Sequence, residues 1–314
     1  MTTVLFTRHY DMLKETHIAH IESVAPDITV MVEEDVLTVI SNIDILIAGK
    51  LDTEILHKAR KLKWVHALAA GVDRLLFPEF VESDIILTNS SGVHPVPISE
   101  HVLGLMLLFT RKLHTAVKMQ LHKKWERPRP VELYKKTMGI IGFGSIGERI
   151  GSVGMCLGMH VIGLKTNVDY TTDNAHEIYP PDKLDDLLTH SDFVVVTLPL
   201  TDLTNHYITY KELSLMKDTA YIINVSRGKI IDQKDLISAL QEKIIAGAGL
   251  DVFEEEPLPD NSPLWDMNNV IITPHYAGST PVYFDRAIDI FCENLQRFLQ
   301  NEPMINVVNK QKGY

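Results

Sequence analysis

A glycine-rich turn between an apolar run and a helix-like stretch constrains the fold of this chain more than any other feature. Residues 139–151 read GIIGFGSIGERIG, in which Gly142, Gly144 and Gly147 have G-x-G-x-x-G spacing. In a strand–turn–helix unit the first glycine permits a tight turn, the second lets the backbone approach a pyrophosphate, and the third lets helix and strand pack closely. The free N–H groups at the start of the helix favour phosphate. The segment predicts a dinucleotide-binding unit, and a glycine-rich turn without a ligand is the alternative.

The rest of the chain alternates between short apolar runs and amphipathic stretches. Runs such as ILIAG, FVVVTLP and NVIITP are apolar at consecutive positions, and stretches such as QKDLISALQEK have helical spacing. Consecutive apolar residues are typical of strands buried on both faces of a parallel sheet. Strand–helix–strand alternation predicts α/β architecture with right-handed crossovers. We therefore expect doubly wound parallel sheets of the Rossmann or flavodoxin type.

The length and the distribution of strands predict two domains. The chain has 314 residues, enough for two separate cores. A continuous apolar-periodic segment from about residue 98 to 125 is too long for a simple crossover and predicts a helix that bridges the domains. The last helix-like stretch, residues 282–300, is expected to return to the first domain. We predict a substrate domain of residues 1–98 and 283–314, a dinucleotide-binding domain of residues 99–282, and an active site in the cleft between them.

Charge and cysteine usage exclude several classes of function. The net charge of −11 disfavours nucleic-acid binding, which usually requires a basic face. The most apolar run, residues 102–109, is far shorter than the ~20 residues of a membrane span, and no signal peptide is evident. Cys156 and Cys292 stand in no metal-ligand spacing. We therefore expect buried free thiols, no metal site and a cytoplasmic location.

The strand-like run after the glycine turn ends in an unexpected charge. In residues 161–167, VIGLKTN, Lys165 stands about 20 residues beyond the glycines, where NAD-binding units have an Asp or Glu that bonds the ribose 2′-OH. A carboxylate would repel a 2′-phosphate, whereas an ammonium and the small donors of Thr166 and Asn167 would attract one. The chain is predicted to favour NADP(H). NAD(H) is the alternative if Lys165 is only a solvent-facing lysine.

Three polar residues follow predicted strands in the second half of the chain. Arg227 stands in the turn after AYIINVS, Glu256 precedes Pro257 in a loop, and His275 follows NVIITP. An arginine at a strand end can bind a carboxylate or polarise a carbonyl. A glutamate beside a histidine holds one tautomer and favours the protonated imidazole, which suits general acid catalysis. Each residue alone is more often structural, but together they predict an active site.

These segments resemble the D-isomer-specific 2-hydroxyacid dehydrogenase family over nearly the whole chain. The most specific of them are GFGSIGERI, LPLTDLTNHYI, NVSRGKIID, GLDVFEEEPL and TPHYAGST. The resemblance implies an oxidoreductase that uses NAD(P)H to reduce a small 2-oxoacid to a D-2-hydroxyacid. Arg227 would then bind the substrate carboxylate and carbonyl, and His275, paired with Glu256, would exchange the proton.

The resemblance also implies binding residues and an assembly. In LAAGVD, residues 68–73, the backbone amides of Ala70 and Gly71 would bind the substrate carboxylate. The cofactor would be bound by Gly142, Gly144, Ser145, Ile146, Gly147, Lys165, Thr197, Pro199, Thr204, Val225, Ser226, Asp251 and Gly278. Asp251 either accepts a bond from the nicotinamide carboxamide or caps a turn at a strand end. The family is typically dimeric through the long helix near residues 98–125, so a homodimer is expected.

Lys165 marks the branch of the family that the chain resembles. Many members carry an aspartate there, whereas the NADPH-using glyoxylate/hydroxypyruvate reductases often show an arginine. The segment TNSSGVHPVPISEHVLGLML also resembles that branch, and His94 within it is interpreted as structural or cleft-lining. A 3-phosphoglycerate dehydrogenase is the alternative among enzymes. A nucleotide-sensing corepressor that binds partner peptides is the alternative among binding proteins.

Overall fold

Two separate parallel sheets organise the computed structural model, which describes residues 2–7, 13–48, 51–167 and 171–313. Each sheet lies in its own unit of the chain. Unit 1 comprises Met1–Val93 and Thr280–Tyr314, and unit 2 comprises His94–Ser279. The boundaries expected from the sequence lie a few residues further along the chain at both junctions.

Unit 1 contains a five-stranded sheet whose faces are both buried. Its elements are β1 (Thr2–Thr7), α1 (Glu15–Glu22), β2 (Ile28–Glu33), α2 (Val36–Val39), β3 (Ile45–Ala48), α3 (Thr53–Lys58), β4 (Trp64–Ala67), α4 (Pro78–Val81), β5 (Ile86–Asn89) and, after unit 2, α11 (Tyr283–Gln300). The parallel strands have the order β2-β1-β3-β4-β5, which is the flavodoxin order. Val4 and Phe6 of β1 pack in one hydrophobic cluster and Leu5 packs in another, so consecutive apolar residues serve opposite faces.

Unit 2 contains a seven-stranded parallel sheet. Its elements are α5 (Pro95–Thr110), α6 (Leu113–Leu121), β6 (Thr137–Ile141), α7 (Ser145–Cys156), β7 (His160–Leu164), β8 (Glu177–Tyr179), α8 (Leu184–His190), β9 (Phe193–Val196), α9 (Tyr210–Leu213), β10 (Tyr221–Asn224), α10 (Gln233–Gln241), β11 (Gly247–Leu250) and β12 (Val270–Ile272). The order β12-β11-β10-β9-β6-β7-β8 is the Rossmann order with one further strand. Val194 and Val195 of β9 pack in different clusters, so this sheet is also buried on both faces. The predicted α/β fold class is confirmed.

The single long helix predicted for residues 98–125 is wrong. The structure has two helices, α5 and α6, and Lys112 between them adopts a left-handed backbone with φ of 56°. A left-handed residue ends a helix because it turns the chain away from the helix axis. The Nδ1 atom of His114 lies 2.7 Å from the carbonyl oxygen of Leu108 and satisfies a group that the end of α5 leaves without an intrahelical donor.

The helix after the last strand completes the core of unit 1. Phe291 of α11 stacks on Trp64 of β4, with ring centroids 5.0 Å apart, and Phe298 lies 5.5 Å from the same ring. Phe291 and Leu295 are fully buried. Unit 1 is therefore built from both ends of the chain.

The two cysteines have different environments. Cys292 is buried in α11, and burial raises the pKa of its thiol to about 12. The predicted burial is wrong for Cys156, which is exposed. The buried face of α7 carries Ile150 and Gly154, and Cys156 lies two residues beyond Gly154, on the opposite side of the helix. Among the described helices, none combines the length and the apolarity that a membrane span requires.

Candidate active site

The glycine turn after β6 has the steric demands that the sequence predicts. Gly142 has φ of +100°, and a Cβ atom there would lie 2.9 Å from the backbone nitrogen of Leu198. A Cβ atom on Gly147 would lie 2.6 Å from the carbonyl oxygen of Gly142. Both positions require glycine. At Gly144, by contrast, a Cβ atom would meet no described atom within 4 Å, so space beside this residue is open.

The start of α7 presents backbone donors at this open space. Glu148 donates its N–H to the carbonyl of Gly144 at 2.8 Å, which is the first bond of the helical ladder. The preceding N–H groups of Ser145, Ile146 and Gly147 have no acceptor among the residues that the structure describes. Unbonded amides at the positive end of a helix, beside an open glycine, fit the pyrophosphate of a dinucleotide.

Lys165 lies against the glycine turn. It is the first residue after β7, and its Nζ atom donates to the carbonyl oxygen of Phe143 at 3.0 Å. Phe143 stands between Gly142 and Gly144, so the ammonium is held at the turn. The side chain is partly buried rather than fully solvated.

Hydroxyl groups hold the loop after β9. Thr197 donates its hydroxyl to the carbonyl of Gly142 at 2.6 Å, which ties this loop to the glycine turn. Further along, Thr204 donates its hydroxyl to the carbonyl of Pro199 at 2.7 Å. Of these predicted cofactor-binding residues, Thr197 is bonded to the glycine turn at the carboxyl end of β9, and Pro199 and Thr204 are bonded to each other further along the same loop. Val225 lies directly after β10 at the same edge and is buried.

The turn that carries Arg227 follows β10. The Asn224 side chain accepts from the N–H and the hydroxyl of Ser226 at 3.1 and 2.8 Å, and donates to the carbonyl of Arg227 at 3.0 Å. A Cβ atom on Gly228 would lie only 1.9 Å from the backbone of Phe253, so the chain needs glycine there. Arg227 itself donates from Nη1 to the carbonyl of Ser226 at 2.9 Å. These bonds fix the direction in which the guanidinium leaves the turn.

Glu256 and His275 form a hydrogen-bonded pair. Oε2 of Glu256 lies 2.7 Å from Nδ1 of His275, and Oε1 accepts the N–H of Phe253 at 3.1 Å. Because the carboxylate accepts a hydrogen bond from Nδ1, Nδ1 carries a proton, and Nε2 is the ring nitrogen that can exchange a proton with a substrate. The His275 side chain is 44% exposed, so its far edge is accessible. Its backbone has φ of 51°, a left-handed conformation that occurs most often at special sites.

Asp251 anchors the loop that carries His275. Its side chain is 2% exposed and accepts from the hydroxyl of Thr273 at 2.6 Å and from the N–H groups of Tyr276 and Ala277 at 3.1 and 2.9 Å. Its backbone carbonyl accepts the N–H of His275 at 2.8 Å. The structure therefore shows Asp251 capping a turn, one of the two roles that the sequence leaves open. A bond to the nicotinamide carboxamide stays a prediction.

Two histidines of the α5 segment lie against the same loop. A Cβ atom on Gly278 would lie 2.6 Å from Cδ2 of His94, so this ring packs closely on the loop. Burial, reinforced by the positive charge of Arg227, lowers the pKa of His94 to about 4, and the ring is neutral at physiological pH. His101 Nε2 lies 3.1 Å from the hydroxyl of Thr273, and burial lowers its pKa as well. Sequence reasoning missed His101, although its seven-residue spacing from His94 places both on one helix face.

The candidate catalytic residues come from three neighbouring strands. β10 pairs with β11 and β11 pairs with β12, all parallel, and Arg227, Asp251 and His275 follow them at the carboxyl edge. Ala70 and Gly71 lie in unit 1, in the loop after β4. Within the described residues, no cluster of His, Cys, Asp or Glu has the arrangement of a metal site.

One known protein family matches more than half of the chain. The family model described as "D-isomer specific 2-hydroxyacid dehydrogenase, NAD binding domain" matches residues 103–277. This range contains the glycine turn, Arg227, Glu256 and His275.

Individual proteins resemble the chain over most of its length. The glyoxylate reductase of Thermofilum pendens is 36% identical over 85% of this chain and 80% of that protein. The D-3-phosphoglycerate dehydrogenase of Methanocaldococcus jannaschii is 35% identical over 90% of this chain, but the chain spans only 54% of that protein. The structure of an NADPH-dependent glyoxylate/hydroxypyruvate reductase from Sinorhizobium meliloti, in complex with NADP and sulfate, has a TM-score of 0.86 and 27% identity, with both chains fully covered.

Proposed function

The chain belongs to the D-isomer-specific 2-hydroxyacid dehydrogenase family, and from this premise we propose that it reduces small 2-oxoacids of the glyoxylate and hydroxypyruvate type with NAD(P)H. The observation that carries the proposal is the hydrogen-bonded pair of Glu256 and His275. Glu256 lies in the loop after β11 and His275 lies after β12, and β11 pairs with β10, the strand that precedes Arg227.

The proposed chemistry assigns one task to each side chain. Arg227 binds the substrate carboxylate and polarises the carbonyl, because its planar guanidinium offers paired donors. His275 gives the proton on Nε2 to the carbonyl oxygen, and Glu256 holds the ring through Nδ1 and stabilises the imidazolium. NAD(P)H, when bound, supplies the hydride that reduces the carbonyl carbon. Asp251 keeps the loop of His275 in place.

A substrate panel tests the proposed activity. Oxidation of NADPH and NADH is followed with glyoxylate, hydroxypyruvate, pyruvate, branched 2-oxoacids and 3-phosphohydroxypyruvate, and the configuration of the product is determined. We expect the highest kcat/KM with glyoxylate or hydroxypyruvate and a D-product wherever the product is chiral. Preference for 3-phosphohydroxypyruvate would favour the second candidate, a 3-phosphoglycerate dehydrogenase, which the relative from M. jannaschii supports. Turnover of none of these acids would favour the corepressor alternative.

We propose NADP(H) as the preferred cofactor because Lys165 is held at the glycine turn. Lys165→Asp should reverse the preference by weakening NADPH more than it improves NADH. A well-made charge-assisted bond contributes ~1.5–3 kcal/mol and an exposed ion pair less, so the wild-type preference should be about ten- to a hundredfold. The measurement is kcat/KM for both cofactors at low and high ionic strength, because salt screens an exposed contact.

A second lysine provides the control for the Lys165 substitution. Lys312→Asp makes the same change of charge at an exposed residue of unit 1 and should leave the cofactor ratio unchanged. Equal efficiencies with both cofactors in the wild type, or an NADH preference that Lys165→Asp does not alter, would show that Lys165 does not select the cofactor.

We also propose that the chain is a homodimer that pairs through α6. In this helix no residue is buried, and Leu113, Val117 and Leu121, spaced four residues apart, are exposed on one face. Trp125, four residues beyond the end of the helix, is 94% exposed. Exposed apolar residues aligned on one helix face are typical of an interface. Sedimentation should show twice the 35.5 kDa mass of one chain. Leu121→Ser combined with Trp125→Ser should give monomers, whereas Leu203→Ser, at a leucine that is even more exposed than Leu121, should not. A wild-type monomer would contradict the proposal.

A further inference from the structure

The loop after β4 is held through its carbonyl oxygens. The N–H of Ser90 donates to the carbonyl of Ala69 at 3.3 Å. The side-chain Nδ2 of Asn89 donates to the carbonyl of Ala70 at 2.7 Å. Asn89 is the last residue of β5, the strand that pairs with β4, and Ser90 follows it directly. Two consecutive peptide carbonyls of the loop are therefore drawn toward the same strand end.

The direction of the carbonyls determines the direction of the amides. In a trans peptide the C=O of one residue and the N–H of the next point in opposite directions. With the carbonyls of Ala69 and Ala70 directed at β5, the N–H groups of Ala70 and Gly71 both point away from it. In the described ranges no oxygen accepts from either group, and Gly71 is exposed. Adjacent N–H groups that point the same way form an anion-binding concavity.

Hydrogen bonds hold both the side chain and the backbone of Asn89. Its side-chain oxygen accepts the N–H of Ser91 at 3.1 Å, which sets the orientation of the amide and directs Nδ2 at Ala70. Nδ2 of Asn306 donates to the carbonyls of Asn89 and Ser91 at 3.3 and 2.8 Å, and the Asn89 N–H donates back to Asn306 at 3.2 Å. Asn89 is 9% exposed, so its amide has little freedom to rotate.

The C-terminal segment supplies this support. Val307 forms an antiparallel bridge with Thr88, and the Val308 N–H donates to the carbonyl of Leu87 at 2.8 Å. Residues 306–308 thus add a short edge to β5. The conformation of the loop at Ala70 depends on a segment more than 200 residues away in sequence.

We propose that Asn89 is a positioning residue for the substrate carboxylate: its bond to the Ala70 carbonyl keeps the N–H groups of Ala70 and Gly71 aimed together as an anion-binding pair. The inference rests on the proposed 2-oxoacid reductase function. It assigns Asn89 a role through the loop backbone, without direct contact with the substrate.

Two substitutions of Asn89 separate positioning from packing. Asn89→Ala removes the donor and leaves a cavity, whereas Asn89→Asp keeps the volume but replaces the donor with a negative charge near the anion-binding pair. We expect KM for the best 2-oxoacid of the panel to rise about tenfold in Asn89→Ala and further in Asn89→Asp, with kcat changed less than threefold. The inhibition constant of oxamate, an analogue of 2-oxoacids that carries the same carboxylate, should rise in parallel, and the Kd of NADPH should stay constant.

Two asparagines of the C-terminal segment complete the test. Asn306→Ala keeps Asn89 but removes its support and should raise KM about threefold. Asn309→Ala is the matched control and should leave KM unchanged, because among the described residues the Asn309 side chain bonds only the backbone N–H groups of Gln311 and Lys312. Unchanged KM in both Asn89 variants, or a larger effect in Asn89→Ala than in the isosteric Asn89→Asp, would overturn the positioning role while leaving the proposed function intact. A wild-type protein that reduces no 2-oxoacid would overturn both.

Discussion

His275→Asn should lower kcat by about 10²- to 10⁴-fold, the usual contribution of positioned acid–base catalysis, while the Kd of NADPH stays close to the wild-type value. The imidazole is held at Nδ1 by Glu256, and Nε2 is the proton donor in the proposed reaction. Asparagine is the informative replacement because His275 has φ of 51°, and asparagine tolerates this left-handed backbone better than alanine does. Single-turnover rates and NADPH titration measure the two quantities separately.

A substitution of Glu256, the hydrogen-bond partner of His275, provides the control for His275→Asn. Glu256→Gln keeps an acceptor for Nδ1 but removes the negative charge that stabilises the imidazolium, so it should reduce kcat less than His275→Asn does. Thermal unfolding of both variants shows whether the loop remains folded. A His275→Asn protein with near-normal turnover would remove His275 from the mechanism.

The local geometry of the glycine turn was predictable because it depends on neighbours in sequence. The spacing of Gly142 and Gly147 gives their steric roles directly, and the structure shows the close approaches that exclude a side chain. The hydrogen bond between Glu256 and His275 is present at 2.7 Å, while the catalytic roles of the two residues stay predictions. Strand ends that carry Arg227 and His275 could be placed at one edge because parallel strands share their direction.

Features without a local sequence signal were not predictable. The break between α5 and α6 lies at Lys112, in a sequence without the glycine or proline that usually ends a helix. The bond from Asn89 to Ala70 spans 19 residues and exists because Ala67 of β4 pairs in register with Asn89 of β5. The packing of His94 on Gly278 likewise requires the fold of unit 2. Apolar periodicity identifies strands and helices, but it does not specify which polar side chains meet at their ends.

Arg227→Lys should lower kcat/KM for the best 2-oxoacid by about 10²-fold, with most of the loss in KM, although the positive charge is kept. Lysine offers a point charge, whereas the guanidinium can bind a carboxylate and a carbonyl with paired, coplanar donors. The native turn also uses one of these donors, because Nη1 of Arg227 bonds the carbonyl of Ser226 at 2.9 Å. A lysine that kept that bond would have no second planar donor for the substrate. Steady-state kinetics with the panel substrates measure the effect, and the Kd of NADPH should not change.

The contrast between the two cationic side chains distinguishes geometry from charge. Arg227→Ala removes both the planar donors and the charge, so its kcat/KM should be lower than that of Arg227→Lys. Added guanidinium should partly restore the activity of Arg227→Ala, because the turn around Gly228 is packed on Phe253 independently of the arginine side chain. Arg60→Lys, the same replacement at an exposed arginine of unit 1, should have wild-type kinetics. If Arg227→Lys keeps both KM and kcat, the substrate carboxylate is held elsewhere. The Asn89 variants would then test the loop of Ala70 and Gly71 as its principal binding site, since that loop binds an anion with backbone donors and needs no side-chain charge.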